Sequence, residues 1–301
     1  MGVLAIIAAL VLEQWRPLSD RKAVAGALTA WADWLERTFN AGESRHGTIA
    51  WIIAVLAPVA AALVLYTLLA WLNPFAALLL NIAALYLTLG FRQFSHYFTG
   101  IQSAIRDGDT DRARQLLGAW RSESATHRSR EEVIRLAVEE AIGASHRNVF
   151  AVLFWFVVLP GPSGAILYRM AVFLDRRWGG KGEFGGCARK VHLALEWPAV
   201  RLTAAAFAVV GDFEDAIYCW RTQAAAWDDP NLGIVLAAGA GALGVKLGMP
   251  LTEVEGLQPR PELGLGDAAD APHLDSTVGL LWRSLVLWVF VLIILSVARV
   301  F

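Results

Sequence analysis

Residues 147–181 read RNVFAVLFWFVVLPGPSGAILYRMAVFLDRRWGGK, and this stretch decides the fold. Two apolar runs, residues 149–159 and 165–174, flank residues 160–164, which contain two prolines and two glycines. Proline lacks an amide donor and glycine permits a positive φ, so the chain is predicted to turn there. Each run is shorter than the roughly 20 residues that a helix needs to cross a bilayer. The stretch therefore predicts a re-entrant helical hairpin with both ends on one side of the membrane.

Polar and charged residues gather at the open end of this hairpin and are expected to form a rim. They are Arg147 and Asn148 before the first run, and Asp175, Arg176, Arg177 and Lys181 after the second. Residues 179–186 are rich in glycine and are predicted to be a flexible loop. Such a loop can offer backbone amides to an anionic ligand beside the Lys181 ammonium, although the same composition also suits a plain connection.

The composition is that of a polytopic membrane protein. Hydrophobic residues make up 56% of the 301 residues and 13 are tryptophan, against about 45–50% apolar residues in soluble proteins. The net charge of −1 is not gathered into a basic domain, so no nucleic-acid partner is expected. The two cysteines form no CxxC, which argues against a zinc site or a disulfide framework. We expect the lipid bilayer of a bacterial inner membrane as partner, with the polar segments in the cytoplasm.

The N-terminal third is predicted to enter and leave the membrane once. Residues 2–12 form an apolar run without a basic flank or a cleavage site, so we expect a retained short helix. Residues 18–47 have the pattern of an amphipathic helix, which lies on the membrane surface or packs on the protein's own core. Residues 48–72 and 75–89 are predicted spans, antiparallel because the link 73–74 is so short. Basic residues flank this pair and are absent from the link, which predicts cytoplasmic flanks.

Residues 91–146 form the longest polar insertion and are predicted to be a cytoplasmic helical subdomain. An Asp-Gly-Asp sequence should end its first helix, and Asp109 or Thr110 can cap the next one. Ser129 and Glu132 have the spacing of a capping box, which predicts a further helix start. This subdomain is also a candidate surface for protein partners.

The segment after the hairpin is apolar but carries charges. Residues 191–210 contain Glu196 and Arg201, and charges at membrane depth usually face a partner or a water-filled cavity. Neutralisation of one by the other and a ligand-binding role both remain open. Residues 239–244 satisfy GxGxxG, but a nucleotide-binding fingerprint requires a strand before and after its helix. The chain shows helical periods, so these small residues predict close helix packing.

The expected fold class is all-α: a polytopic integral membrane protein with a re-entrant helical hairpin and a cytoplasmic helical subdomain. Acidic residues, proline and glycine make the segment before the C-terminal span a predicted loop or partly disordered linker. The predicted segments are 1–90 (N-terminal helix, amphipathic segment and transmembrane pair), 91–146 (subdomain), 147–249 (hairpin and Gly/Ala-rich membrane core), 250–277 (acidic loop) and 278–301 (C-terminal span).

The stretch from Leu174 to Lys181, LDRRWGGK, resembles the LDxxxGxK signature of the CobD/CbiB family of cobalamin biosynthesis. Residues 135–139, 201–202 and 230–248 agree with the same family in order, so the likeness extends over most of the chain. It implies a membrane-bound adenosylcobinamide-phosphate synthase, an ATP-dependent amide-forming ligase. Such an enzyme joins an aminopropanol phosphate to the carboxylate of adenosylcobyric acid at the cytoplasmic membrane face.

The resemblance implies a corrinoid substrate, with ATP and Mg²⁺ as cofactors, and suggests roles for rim residues. Lys181 and Arg147 would hold phosphate. Asp175 and Glu139 would be the catalytic carboxylates that hold Mg²⁺ or an amine, and Asn231 would orient a substrate amide. The further candidate ligand-binding residues are Glu13, Glu196 and Arg201.

Each of these roles competes with an ordinary structural explanation. Asp175, beside two arginines, suits a cytoplasmic anchor, and Arg147 suits an arginine that snorkels at the membrane border. Glu139 lies four residues after Arg135, and an ion pair between them is the favoured interpretation. The histidines have no second ligand at helical spacing, so a metal role is disfavoured for each. They are His96, His146 and His192.

The chain also departs from the family pattern where carboxylates are expected. Residues 143–148 replace an acidic Glu-Asn-Thr-x-Asp-Gly stretch, and His192, Leu193 and Leu236 stand where the family has acidic residues. A ligase of this type needs carboxylates to hold a divalent metal against triphosphate oxygens. These substitutions count against catalysis.

A second family is similar at several of the same places. AmpE-like inner-membrane proteins, described as modulators of β-lactamase induction, resemble the chain at residues 13–16, 95–97, 147–155 and 196–202. The alternative function is therefore a non-catalytic membrane signalling modulator, whose partner would bind the predicted subdomain or the acidic loop.

Overall fold

The computed structural model describes residues 2–15, 22–40, 42–253 and 256–298. The helices are α1 Gly2–Trp15, α2 Lys22–Phe39, α3 Ser44–Leu72, α4 Pro74–Thr88, α5 Phe91–Arg106, α6 Thr110–Arg121, α7 Arg130–Ser145, α8 Ala151–Val158, α9 Ser163–Trp178, α10 Gly182–Val210, α11 Phe213–Gln223, α12 Pro230–Leu243 and α13 Ala271–Ala298. A π-helical turn, His146–Phe150, joins α7 to α8, and a 3₁₀ turn, Ala224–Ala226, follows α11. The short strands are β1 Leu247–Gly248, β2 Leu251–Glu253, β3 Gly256–Gln258 and β4 Glu262–Leu263.

The chain is an all-α polytopic membrane protein, as predicted. Within the described part, the helices long and apolar enough to cross a bilayer are Ser44–Leu72, Arg130–Val158, Gly182–Val210 and Ala271–Ala298. In α3 only 11% of the most apolar window is buried inside the protein, so lipid must cover the rest.

The described chain forms two compact units, each assembled from two separate stretches. Unit 1 comprises Met1–Leu89 and Ala151–Ala199, and unit 2 comprises Gly90–Phe150 and Val200–Phe301. Unit 1 contains the predicted transmembrane pair and the hairpin turn. Unit 2 contains α5 to α7, the end of α10, and everything that follows.

The transmembrane pair of unit 1 has the predicted antiparallel form. α3 ends at Leu72 and α4 begins at Pro74, and the two helices pack against each other. The Asn73 side chain accepts a hydrogen bond of 2.9 Å from the amide of Phe75 and so caps α4. Proline at the first helical position has no amide to leave unsatisfied, which favours a helix start there.

α2 packs on the core of unit 1, the second of the two arrangements that the sequence left open. Ala32 and Leu35 are fully buried there against α3, whereas Trp34 on another face is exposed. Of the predicted amphipathic stretch, residues 18–21 and 41 lie outside the described residues.

The turn between α8 and α9 lies where the prolines and glycines predict it. Gly161 adopts a φ of +61°, and a Cβ there would lie 2.5 Å from the ring of Tyr66 on α3. The Ser163 hydroxyl donates a 2.6 Å hydrogen bond to the Pro160 carbonyl and closes the turn. α8 and α9 then pack against each other.

The first arm of this hairpin is longer than predicted. α7 continues through the π-helical turn into α8, so residues Arg130–Val158 form a helix of 29 residues. The premise that each arm is too short to cross a bilayer was wrong for this arm, whereas α9 has 16 residues. The return of both ends to the same side of the membrane stays a prediction.

The predicted flexible loop at residues 179–186 was also wrong, because most of it is helical. Only Gly179–Lys181 separate α9 from α10. A Cβ on Gly185 would lie 1.8 Å from the carbonyl oxygen of Trp178, and a Cβ on Gly47 would lie 2.0 Å from that of Phe184. The glycines therefore permit close backbone contacts, and they do not form an extended loop.

In unit 2, the helix starts predicted within residues 91–146 are confirmed. The Asp109 side chain accepts a 2.9 Å hydrogen bond from the amide of Arg112 and caps α6. Ser129 and Glu132 form a complete capping box at the start of α7, with hydrogen bonds of 3.1 and 2.7 Å. These are local interactions that the sequence spacing specifies.

The GxGxxG sequence lies within α12, as helix packing predicts. α12 follows α11 in the sequence and packs closely against it. A Cβ on Gly241 would lie 2.4 Å from the carbonyl oxygen of Asp215, and one on Gly233 would lie 2.3 Å from that of Ala224. Gly244, with a φ of +63°, ends the helix in the left-handed conformation.

The prediction of a loop or linker at residues 250–277 was wrong over most of that range. β1 pairs antiparallel with β4, and β2 pairs antiparallel with β3. Leu251 and Leu263 are almost fully buried, which anchors this segment in unit 2. α13 then begins at Ala271, within the predicted linker.

The start of α13 is fixed by Asp270. Its carboxylate accepts a hydrogen bond from the amide of Ala271 and forms an ion pair with Arg130. Both interactions lower the pKa of this carboxyl. The carboxyl therefore stays charged to a lower pH than that of an ordinary aspartate.

Candidate functional site

The eight predicted site residues are divided equally between the two units. Unit 1 contains Glu13, Asp175, Lys181 and Glu196; unit 2 contains Glu139, Arg147, Arg201 and Asn231. Lys181 and Arg147, the two residues assigned to phosphate, belong to different units. The two catalytic carboxylates, Asp175 and Glu139, also belong to different units.

In unit 1, four side chains of α9 and α10 form a buried polar cluster, which we call the α9–α10 cluster: Tyr168, Asp175, His192 and Glu196. The Tyr168 hydroxyl donates a 3.0 Å hydrogen bond to Oε1 of Glu196. The same oxygen lies 3.3 Å from Nε2 of His192, and Nδ1 of His192 lies 3.9 Å from Oδ2 of Asp175. Tyr168, His192 and Glu196 are buried and shielded from bulk water, whereas the Asp175 side chain is 27% exposed.

Beside this cluster, α2 supplies acidic partners for the cations at the end of α9. The Lys181 ammonium lies 2.5 Å from Oε1 of Glu36, and the Arg177 guanidinium pairs with Asp33. Asp175 lies in the last turn of α9, and Lys181 is the last residue of the short link to α10. A phosphate at Lys181 would share the ammonium with Glu36.

In unit 2, Glu139 joins α7 to residues 247–263, which contain β1 to β4 and which we call the strand segment. Its Oε1 accepts a 2.8 Å hydrogen bond from the amide of Gly248, and its Oε2 accepts one of 2.5 Å from Arg260. Arg135 instead donates a 3.1 Å hydrogen bond to the Pro250 carbonyl. The favoured ion pair between Arg135 and Glu139 was therefore wrong, because both side chains bind the strand segment.

Arg147 lies in the π-helical turn and has a carboxylate partner. Its Nη2 lies 3.0 Å from Oε1 of Glu140, whose other oxygen lies 4.0 Å from Arg121. The Arg147 side chain is 21% exposed. It is thus a partly buried ion-paired residue, and a π-helical turn within an α-helix often marks a functional position.

The remaining predicted residues lie on α1, α10 and α12. Glu13 is buried in α1 of unit 1, with 2% of its surface exposed. Asn231 lies in the first turn of α12, where Asp229 caps the helix, and Arg201 lies on α10. Asn231 is 8% exposed, so a substrate amide would have only limited access to it.

The described residues contain no group of three or more His, Cys, Asp or Glu that could hold a metal ion. Magnesium that accompanies a nucleotide commonly uses one or two protein carboxylates and takes its other ligands from phosphates and water. The carboxylate of Asp175 is compatible with that minimal role. No preformed all-protein metal site is present in the described part of the chain.

Two further histidines and one cysteine are not part of the α9–α10 cluster. Nδ1 of the buried His146 lies 3.0 Å from the hydroxyl of Thr203, and His96 is exposed on α5. Burial, and to a smaller extent the carboxylate of Asp215, raise the pKa of Cys219 to about 11. This thiol therefore stays protonated near neutral pH and is a poor nucleophile.

Sequence reasoning missed several partners of the predicted residues. Arg260, the partner of Glu139, is the only Lys or Arg in residues 250–277, and an isolated cation in an acidic stretch was the available signal. Tyr168 and Glu36 gave no local signal, since each meets its partner only through helix packing. In the sequence, His192 stands out as a disfavoured metal ligand and as a departure from the family's acidic pattern, and neither feature indicates its contact with Glu196.

The sequence model of the CobD/Cbib protein family matches residues 4–281. The cobalamin biosynthesis protein CobD of Stutzerimonas stutzeri is 37% identical, over 96% of each chain. The protein of the same name from Chromobacterium violaceum is 36% identical over 77% of this chain and 76% of its own length. No solved structure matches. The match over nearly the whole length, together with 37% identity over 96% of both chains, shows that the chain belongs to the CobD/CbiB family.

Proposed function

We propose that the protein acts in the late steps of cobalamin biosynthesis and attaches an aminopropanol side chain to a corrinoid. The observation that carries this proposal is family membership over nearly the whole chain. Within that frame, the stretch resembling LDxxxGxK places Asp175 and Lys181 at the same end of α9. Amide formation from a carboxylate and an amine requires activation of the carboxylate, which ATP with Mg²⁺ supplies when bound.

The α9–α10 cluster supplies the chemistry that such a reaction needs from the protein. A carboxylate at Asp175 can hold an incoming amine or a nucleotide-bound cation, and His192 beside it can accept a proton. The Lys181 ammonium can hold a phosphate oxygen, with Glu36 keeping its side chain in position. In unit 2, Glu139, Arg147 and Asn231 remain proposed site residues.

The protein would bind its corrinoid substrate at a membrane surface. The apolar surfaces of α3 and α13 require lipid, and the basic flanks of the α3–α4 pair favour a cytoplasmic location for the polar segments. We therefore place the protein in a bacterial inner membrane, with the corrinoid approaching from the cytoplasm.

Complementation of a strain that lacks cobinamide-phosphate synthase tests the proposal. Expression of this chain should restore growth without an added late corrinoid precursor. Asp175→Asn removes the carboxylate charge and Lys181→Ala removes the ammonium, so each variant should abolish rescue or slow growth severely. Lys190→Ala is the matched control, because Lys190 is an exposed lysine on α10. It should support growth like the parent chain.

Membrane fractions must contain each variant in similar amounts for this comparison to hold. Failure of the parent chain to rescue growth, despite normal insertion, would contradict the proposed reaction. Rescue by all three variants would contradict the assignment of Asp175 and Lys181 while leaving the reaction intact.

The second candidate is a non-catalytic signalling protein of the AmpE type. It is favoured by one observation: Lys181 and Arg147, the two proposed phosphate ligands, each already have a carboxylate partner within their own unit. Under this function the ion pairs are structural, and a protein partner would bind an outer surface. A chain that inserts normally, fails to complement and alters β-lactamase induction would support this candidate.

A further inference from the structure

Unit 2 contains a pocket with a volume of about 320 Å³ that none of the proposed site residues lines. α6, α7, the Trp227–Asp228 turn and the strand segment all contribute to its wall. The residues that line it include Arg121, Arg128, Leu136, Trp227, Leu251 and Arg260. Its volume is at the lower end of the range for small-molecule sites, and it is too small for a corrin ring.

Arg260 is held in a fixed position at this pocket. Its Nη2 donates to Oε2 of Glu139 at 2.5 Å, and its guanidinium lies 4.7 Å from the ring centroid of Trp227. The side chain is only 14% exposed. A guanidinium that is ion-paired on one side and stacked on a ring has little freedom to turn away from the pocket.

One donor of this guanidinium is not used. Nη1 of Arg260 is buried and has no hydrogen-bond partner among the described residues. Buried donors of charged groups are nearly always satisfied in native proteins, because leaving one unpaired costs stability. Arg260 lines the pocket, and its guanidinium therefore retains donor capacity for an acceptor atom that binds there.

Two further arginines make the pocket suitable for a negative charge. Arg128 donates to the carbonyl oxygen of Thr252 on β2, and Arg121 lies 3.3 Å from the carboxylate of Glu123. The lining also includes Glu123 and Asp228, so positive charges exceed negative ones by only one. This balance favours a single small oxyanion over a polyphosphate.

We propose that this pocket binds one oxyanion group, a phosphate or a carboxylate, of a small molecule. Arg260 and Arg128 bind the oxyanion by charge-assisted hydrogen bonds, and the apolar part of the ligand packs on Trp227, Leu136 and Leu251. The phosphate can belong to a soluble metabolite or to a lipid headgroup. The inference concerns unit 2 alone and does not depend on the reaction proposed above.

Binding of inorganic phosphate to the purified full chain in zwitterionic lipid nanodiscs tests the proposal. Saturable binding is expected by ³¹P NMR line broadening and by an upward shift of the melting temperature. Arg260→Lys keeps a cation for Glu139 but removes Nη1, and Arg128→Gln removes a second guanidinium. Each should weaken phosphate binding by about tenfold or more, as expected for the loss of a charge-assisted hydrogen bond.

Arg221→Gln is the matched control, because Arg221 is an exposed arginine of unit 2 that does not line the pocket. It should bind phosphate like the parent chain. If Arg260→Lys does not fold, Arg128→Gln provides the same comparison.

A second set of nanodiscs, containing phosphatidylglycerol, distinguishes the two sources of phosphate. Stabilisation by this lipid that Arg128→Gln and Arg260→Lys remove, without binding of free phosphate, would identify a lipid headgroup as the ligand and support the proposal. No saturable binding in either set, or binding that neither variant weakens, would overturn it.

Discussion

Glu139 connects α7 to a distant part of unit 2 through its side chain. It is 4% exposed in its side chain and binds both the Gly248 amide and the Arg260 guanidinium, so one carboxylate joins α7 to two points of the strand segment. A buried charge of this kind is tolerated because both its oxygens have partners. Its structural role is therefore separable from any contribution to catalysis.

Glu139→Gln should lower the free energy of unfolding of the purified protein by about 2–3 kcal/mol, because the amide keeps the shape but loses the charge opposite a buried guanidinium. Denaturant titration in detergent, followed by tryptophan fluorescence, measures this change. Glu131→Gln, at an exposed position on the same helix, should change it by less than about 0.5 kcal/mol. Equal effects of the two substitutions would contradict a specific role for the Glu139 pair.

At the level of single residues, sequence reasoning succeeds where the interaction is local. The cap at Asp109 and the capping box of Ser129 with Glu132 depend on spacings of three residues, and both are present. The partner of Glu139 lies 121 residues away in sequence. No spacing rule connects Glu139 with Arg260. The local pattern instead favours Arg135, which lies four residues before Glu139.

Among the secondary-structure elements, the junction of α9 with α10 depends on one backbone contact. The Cα of Gly185 approaches the Trp178 carbonyl so closely that a Cβ would lie 1.8 Å from its oxygen. Gly185→Ala should therefore separate the two helices and lower the free energy of unfolding by about 1–3 kcal/mol. Thermal unfolding in detergent measures the loss as a lower melting temperature.

The neighbouring glycine provides the control for this prediction. A Cβ on Gly186 would have no atom within 4 Å, so Gly186→Ala should leave the protein unchanged or stabilise it by up to about 1 kcal/mol through helix propensity. Opposite signs for two adjacent Gly→Ala substitutions cannot arise from propensity alone. A stabilising effect at both positions would show that the two helices are not in close contact.

The elements themselves were predictable where composition and length agree. α3, α4 and the turn at residues 160–164 follow from apolar length and from the special residues between them. The helix expected from Glu131 to Gly143 continues into the hairpin through the π-helical turn, although His146, Arg147 and Asn148 interrupt the apolar pattern there. The strands at 247–263 are two or three residues long, too short for an alternating pattern to appear.

For the whole molecule, composition predicted the membrane class correctly, but it could not predict how the chain is divided. Each compact unit combines two separate stretches of the chain, so residues close in sequence, such as Glu196 and Arg201, belong to different units. The predicted site residues are split in the same way. Pairing of residues across such a division depends on tertiary packing, which a single sequence does not contain.

The distribution of basic residues predicts how the whole chain is oriented in the membrane. Basic residues flank the α3–α4 pair and none lies in its link, so the link should be outside the cell membrane and the flanks inside. In a variant with both native cysteines replaced, Leu72→Cys, at a 62% exposed position next to the link, should react with an impermeant maleimide in intact spheroplasts. Ser44→Cys, at the other end of α3, should react only after lysis. The reverse pattern would place the predicted cytoplasmic flanks outside and would remove the basis for a reaction that uses cytoplasmic ATP.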